Sequence, residues 1–432
     1  MNSTGAIPFD TDPASGRAGT SPRPYIWAKH NVKKIMKIKC IVFSLLCSVS
    51  SVVLAAEPYD PIAPLIEKAI ADKQFPGAVV LVGRGDQMLY RKAFGFKTYS
   101  PAAPVIATDT VFDLASLTKP VVTATLIMQL VERGELRLTD PIGKYLPQLT
   151  DAEVKKVTML QLLTHSSGLA DGFDRREFWQ GKAGLDAALA KLKLKTQPDQ
   201  EFVYSDIGFI LLGLVVERIT KQPLDLVAEQ RIFQPLQMKD SRYLPLGTAL
   251  QNTAYLQRIA PTENLKGDAD YQKLLPNYAQ PYLHAVVHDP TAQRLGGVAG
   301  HAGIFGTAED LALFVQMLLN GGELKGQRVL SPLAIQRLLT PFVIGRQSRA
   351  LGWDMDTPYS APKGDLMPPG SFGHTGFTGT SIWIDPASRT YIILLSNRVH
   401  PNRNSSITEL RARLANIVAA AINVPIARGF SG

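Results

Sequence analysis

Residues 77–95 read "GAVVLVGRGDQMLYRKAFG", two β-rich runs on either side of Gly85-Asp86. Such runs around a Gly-Asp pair predict a hairpin. The pattern returns near the other end in "GTSIWIDPASRTYIILLSNRV", residues 379–399, around Asp385-Pro386-Ala387-Ser388. Between the two the period changes. From Ser116 to about Leu339 the apolar residues recur at helical spacing, over 121–133, 158–163, 184–193, 206–220, 224–235, 308–319 and 331–339. Long polar connections separate these segments, notably 240–306, and 357–371 ("TPYSAPKGDLMPPGS") reads as a Pro/Gly loop. A final helix is predicted over Ser406–Ile422, with Leu410, Leu414 and Ile417 spaced along it. Strands at both ends and helices between them predict an α/β fold of the α+β type. One antiparallel sheet, drawn from about 57–115 and 345–432, is flanked by helices and carries a mostly helical insertion at about 116–344. A cleft is expected where sheet and insertion meet.

The first 56 residues follow neither period. Residues 1–25 are polar and turn-rich. Lys33, Lys34, Lys37 and Lys39 then precede the apolar run "IVFSLLCSVSSVVLAA" and a Val-x-Ala site at Val53–Ala55. That order is the signature of a secretory signal, with Met36 the expected start and residues 57–432 the mature domain. The apolar run is about 16 residues, short of the roughly 20 that a membrane span needs; an uncleaved anchor is the alternative. An exported protein of the periplasm or cell envelope follows, with peripheral envelope association as a further possibility. Both cysteines, Cys40 and Cys47, lie in this segment. Residues 57–432 therefore contain no disulfide, no cysteine nucleophile and no cysteine metal site.

The chain is 45% apolar and 19% charged, enough for a large core and unlike a disordered chain. Of the formal charge of +9, +5 falls in residues 1–56 and +4 in the remainder. That is mild for the size, and no basic block with interleaved aromatics occurs, so nucleic acid is not an expected partner.

Ser116 and Lys119, in "FDLASLTKP", form Ser-x-x-Lys just before a helical run. Residues at i and i+3 share a helix face. A lysine can take a serine proton once desolvation lowers its pKa, and the orphan N–H groups of a first turn favour developing negative charge. Pro120 fits only such a first turn. Taken alone, the motif equally fits an N-cap with a solvated lysine. A second match, Ser360-x-x-Lys363, lies in the Pro/Gly loop, where nothing aligns the two side chains. Tyr204-Ser205-Asp206 opens another predicted helix, and a tyrosine near cations can act as a base. Gly373-His374-Thr375-Gly376 leads into the late strands, where a substrate backbone can lie along a strand edge and the N–H of Phe377 can pair with that of Ser116 around an oxyanion. Each also has a plain reading, as a capped half-buried tyrosine and as a glycine turn with an exposed histidine. His288, Asp289 and His301 could be taken for a metal cluster. Their loop has no predicted helix to fix the spacing, so no metal is expected, and no dinucleotide or other cofactor motif is present. Phe178, Trp179 and Tyr243 read as packing residues. No Gly-x-Ser-x-Gly elbow occurs.

The order of the three pieces, with Tyr204 lying 88 residues after Ser116 and His-Thr-Gly on a late strand, resembles the penicillin-recognising serine hydrolases. "LLTHSSGL" (162–169) and "GELRLTDPIGKYLP" (134–147) are similar to its class C β-lactamase-like branch, and "GGVAGHAGIFGTAEDLALF" (296–314) to its penicillin-binding protein 4B group. The resemblance implies a β-lactamase/transpeptidase-like fold. It makes Ser116 the acylated nucleophile, Lys119 its proton partner, Tyr204 the relaying base, and the N–H groups of Ser116 and Phe377 the oxyanion hole. Asp206, His374, Thr375 and Gly376 become substrate-binding positions. Two of these depart from the family pattern. Asp206 stands where Asn is usual and is expected to pair with Lys119; His374 stands where Lys is usual and carries only part of a charge near neutrality. The implied activity is that of a D-alanyl-D-alanine carboxypeptidase or β-lactamase-like enzyme acting on a peptidoglycan peptide or small molecule. An esterase of the same fold, or a non-catalytic protein that binds cell-wall peptides, is the alternative.

Overall fold

The structure is a computed structural model that describes residues 58–422, apart from 175, 248–251, 266–268 and 277. The extension and signal segment expected within residues 1–56 lie outside the described residues. No helix among those described is long and apolar enough to cross a membrane.

The first hairpin forms as its pattern predicts, β1 (Gly77–Arg84) and β2 (Gln87–Gly95) around Gly85, whose φ of +58° suits the tight turn. The chain then enters the insertion. This is not purely helical. Short strands β3 (Phe112–Asp113), β4 (Arg242–Tyr243) and β5 (Ile304–Gly306) form a small sheet in the order β3-β5-β4, and β6 (Glu323–Leu324) pairs with β7 (Gln327–Arg328). The main sheet resumes with β8 (Phe342–Ile344), β9 (Gln347–Arg349), β10 (Asp354–Asp356), β11 (Phe372–Thr375), β12 (Ser381–Asp385) and β13 (Thr390–Ser396). Its eight strands run β2-β1-β13-β12-β11-β10-β9-β8, with every neighbouring pair antiparallel. The two ends of the chain meet where β1 lies against β13, Ala78 opposite Ser396.

The sheet separates two cores. Side chains alternate across a strand, so Val79 and Leu81 of β1 and Tyr391, Ile393 and Leu395 of β13 join the helical insertion. Val80, Val82, Ile392 and Leu394 face the other way, toward helices Ile62–Ala71 and Thr408–Ala420. This explains why "VVLV" and "YIILL" are apolar without a break. The helix Ile62–Ala71 was not expected from the sequence. The inserted helices Asp206–Thr220 and Ala308–Leu319 match their predicted spans.

Candidate active site

The nucleophile candidate sits directly after β3. The expected first turn of an α-helix is absent. Ser116 lies in a single 3-10 turn, Ala115–Leu117, and Lys119 opens a π-helical turn, Lys119–Ala124, before the α-helix Thr125–Glu132 begins. Ala115 takes φ +48°, a costly conformation for a residue with a Cβ. Its surroundings hold it there. The Ala115 N–H donates to Asp113 Oδ1 at 2.9 Å, and Asp113 Oδ2 accepts the His288 N–H at 2.6 Å. Burial pushes the Asp113 carboxyl up to about 6, against the pull of those N–H groups.

Lys119 still meets Ser116 across i, i+3. Its side chain is fully buried, and its ammonium donates to Ser116 Oγ at 2.9 Å and to the His301 carbonyl at 3.1 Å. Asp206 Oδ1 lies 2.7 Å away. Burial works against the charge, but Asp206 and Tyr204 outweigh it and hold the lysine pKa above its ordinary value. A lysine in this state donates to the serine oxygen, which favours another group as the acceptor of the serine proton.

Tyr204 and Asp206 come from the start of one helix. Ser205 caps it, its Oγ accepting the Gly208 N–H at 3.2 Å and donating to the Ala170 carbonyl at 2.6 Å. The Lys119 Nζ lies 4.9 Å from the Tyr204 ring centre. Another contact of this ring is His165, from the "LLTHSSGL" stretch, stacked at 4.5 Å. The Ser205 N–H donates to His165 Nδ1 at 2.9 Å, so that nitrogen is unprotonated. Burial, then the nearby Arg349 and Lys119 charges, push His165 well below its ordinary pKa. Sequence reasoning did not assign His165 to the site; its signal was the resemblance of the stretch around it.

β11 delivers His374 and Thr375. His374 is 3% exposed, which removes the exposed-turn reading. Its partial charge near neutrality is also corrected: burial, assisted by Arg349 and Lys119, drives its pKa well below 6.5. The ring is neutral, with Nδ1 placed 2.8 Å from the Thr375 carbonyl, where it must donate. After Thr375 the chain turns tightly, with the Gly376 N–H donating to the Thr380 carbonyl at 2.7 Å. A Cβ on Gly376 would meet Thr380 Oγ1 at 2.0 Å and the Leu114 carbonyl at 2.6 Å. Thr378 and Thr380 donate to the Asp113 and Leu114 carbonyls at 2.7 and 3.1 Å, so the turn carrying Phe377 is stapled to the one carrying Ser116. Arg411, from the last helix, donates to the Gly376 and Thr380 carbonyls at 3.1 and 2.7 Å. The Phe377 ring is half exposed, stacked on His288 and crossed by Arg398.

Ser116, Tyr204, His374 and Phe377 line one cavity of about 290 Å³. A residue that the sequence did not flag shares its wall. Arg349 of β9 is 1% exposed, and its three guanidinium nitrogens have no hydrogen-bond partner among the described residues. Asp354 is 3.6 Å away, and the rings of Phe202 and Tyr204 lie 5.3 and 5.6 Å from the guanidinium carbon. A lone arginine in a sequence reads as a surface residue, and no neighbour marked this one. The second Ser-x-x-Lys stays apart. Ser360 donates to the Thr357 carbonyl and Lys363 to the Met355 carbonyl. The suspected metal loop does contain a short helix, Pro290–Arg294, contrary to expectation. Asp206, Asp289 and His301 bring ligand-type atoms within 4.8 Å of one another, but Lys119 already supplies a cation there.

A family model described as Beta-lactamase matches residues 62–417. "N-acetylmuramyl-L-alanine amidase" of Bacillus subtilis (strain 168) is 32% identical over 80% of this chain and 83% of its own length. "Putative D-alanyl-D-alanine carboxypeptidase" of Escherichia coli (strain K12) is 32% identical over 78% and 83%. Among solved structures, "A class C beta-lactamase" superposes with a TM-score of 0.66 at 23% identity, over 85% of this chain and 97% of that one.

Proposed function

The chain belongs to the Beta-lactamase family, and from that premise we propose that it hydrolyses an amide of the cell wall through an acyl-enzyme on Ser116. The fold and its relatives make it a serine hydrolase. The observation that carries the site assignment is the ammonium of Lys119, aimed at Ser116 Oγ and paired with Asp206. In this reading Tyr204 takes the Ser116 proton as Oγ attacks the substrate carbonyl. The N–H groups of Ser116 and Phe377 hold the oxyanion, and the fixed cation of Lys119 stabilises the negative charge around Oγ and Tyr204. The proton then passes to the leaving nitrogen as its bond to carbon breaks. Tyr204 next draws a proton from water, which attacks the ester and frees Ser116.

Both named relatives act on alanine-containing cell-wall components, by their names, and this supports a muropeptide substrate over a small ester. Arg349 supports it as well. His374 supplies no cation, and Arg349 adds a permanent one to the cavity wall, suited to a peptide carboxylate. An export signal within residues 1–56 agrees with such a substrate and is part of the proposal. Ser116→Ala is expected to abolish both hydrolysis of muropeptides and covalent labelling by a fluorophosphonate. Product analysis by mass spectrometry separates loss of a terminal D-alanine from release at the muramyl end. Full activity in the Ser116→Ala protein would reject the assignment.

A further inference from the structure

The stretch "VHDP" (287–290) and "GGVAGHAGIFG" (296–306) stood out in the sequence, yet nothing in the acyl-transfer chemistry above uses its side chains. Its contacts converge on the nucleophile turn. The His288 N–H donates to Asp113, which holds Ala115. The Gly300 carbonyl accepts from Thr123 Oγ1 at 2.6 Å, and the Ile304 N–H donates to Thr118 Oγ1 at 3.3 Å. Between these two the His301 carbonyl accepts from Lys119 Nζ. Gly300 permits the close approach, since a Cβ there would lie 2.1 Å from the Phe209 carbonyl. The His301 ring is 1% exposed, and its Nε2 lies 2.8 Å from Asp289 Oδ1. Asp289 is itself anchored, capping the helix Pro290–Arg294 through the Ala292 N–H at 2.8 Å.

We propose that Asp289 and His301 are a positioning pair for Lys119: the carboxylate fixes the imidazole, the imidazole fixes its own backbone carbonyl against the lysine, and Asp289 adds a second negative charge beside the ammonium. This rests on the reading of Ser116 as nucleophile. Neither residue lines the cavity, so the pair acts by positioning Lys119 and not on the substrate. Two elements bring carboxylates together here: Asp206 from the inserted helix pairs with the ammonium, and Asp289 from the loop has a carboxylate oxygen within 4.8 Å of that of Asp206. Burial works against charge on Asp289, but the His301 ring, the Ala292 N–H and Lys119 together hold its carboxyl below the ordinary range. The remaining groups facing the ammonium are Tyr204, His165 from the turn after Met159–Leu163, and His374 from β11. Both histidines are neutral by burial. The clustered acids and histidine thus need no metal ion, because their cation is covalently attached to the chain.

The test is the rate of fluorophosphonate labelling across pH 6–10 for the whole protein, wild type beside Asp289→Asn and His301→Gln. Asn can keep the cap on Ala292 while losing the charge. Rates are taken on the fraction that labels to completion, so partial misfolding does not imitate the effect. Labelling should slow roughly 10- to 100-fold in both variants, the scale of a misplaced reacting group. The alkaline limb should move to lower pH in Asp289→Asn, because the lysine loses a charge that favoured its proton. A purely structural role would lower the melting temperature and leave the limb where it was. Wild-type rates and an unmoved limb in both variants would overturn the inference. A wild type that does not label at all would overturn the Ser116 reading and this inference with it, whereas a labelled wild type with indifferent variants overturns this inference alone.

Discussion

Replacing Asp206 by Asn removes a charge and little else, and it separates the two residues that could serve as base. The carboxylate oxygen is 2.7 Å from the Lys119 nitrogen. At that separation Coulomb's law gives about 6 kcal/mol for an effective dielectric near 20 and about 1.5 kcal/mol in bulk water. Lys119 is fully buried but the Asp206 side chain is 36% exposed, so solvent screening leaves about 2 kcal/mol. One pH unit corresponds to about 1.4 kcal/mol. The pair favours the protonated lysine, and its loss lets Lys119 give up its proton at least one pH unit earlier as pH rises. If the cation is required and Tyr204 is the base, the alkaline limb of kcat/KM moves toward neutrality by that amount. Asn also offers an N–H to a substrate amide carbonyl, which an ionised Asp does not, so turnover of a chromogenic cephalosporin should rise below the limb. Both are read from pH–rate profiles between pH 5 and 10, with a nitrophenyl ester alongside. An acidic limb that moves down while activity rises would make neutral Lys119 the base and refute the assignment to Tyr204. An unmoved profile with unchanged cephalosporin turnover would refute the electrostatic reasoning itself.

Arg349→Gln should lower kcat/KM for a carboxylate-bearing peptide by about 10- to 100-fold, the worth of a charged hydrogen bond, with little change for a neutral nitrophenyl ester; equal losses on both substrates would reject carboxylate recognition. Gly376→Ala places a methyl against the Leu114 carbonyl and Thr380, so overpacking should cost about 1–3 kcal/mol of stability, visible in chemical denaturation, together with a slower acylation step because Phe377 and Ser116 lose their alignment. Asp113 has its carboxyl pushed up from 3.8 to about 6, so its ionised form costs the fold about 3 kcal/mol at pH 7, a cost relieved as pH falls through 6 toward 4. Asp113→Asn lacks that relief. The wild type should therefore gain on the variant in melting temperature between pH 7.5 and 4.5, and a constant difference would exclude the effect.

The sheet was legible because its longest strands announce themselves. "GAVVLVGR" and "TYIILLS" are β-branched runs bounded by turn residues, and a strand buried on both faces needs no alternation. The helix Asp206–Thr220 was equally clear from its cap and apolar run. Strands β8 to β10 were not, since Phe342–Ile344, Gln347–Arg349 and Asp354–Asp356 are three residues each, too short for a period to show, and the last two are largely polar. Ser116, Lys119 and Tyr204, the candidates that the structure brings together, were picked out from residue type and order. The geometry around them was not, because "SLTKP" carries no mark of a π-helical turn, which depends on the loop 287–304 packed against it. His374 was misjudged for a related reason: a histidine in a glycine-rich stretch reads as exposed, and its burial depends on groups remote in sequence, the Tyr204 ring at 6.0 Å among them.

The seam between β1 and β13 has a consequence for synthesis. A growing polypeptide makes its first hairpin early but leaves one edge of β1 unpaired until residues 390–396 emerge, more than 300 positions later. Contacts so distant in sequence form late, and a naked strand edge invites association with other chains in the interval. The turn carrying Phe377, stapled to that of Ser116, arrives only shortly before. The unfinished chain is therefore both sticky and inactive: the hydrolase site is complete only once the last strand is in place, a delay built into the order of the sequence itself.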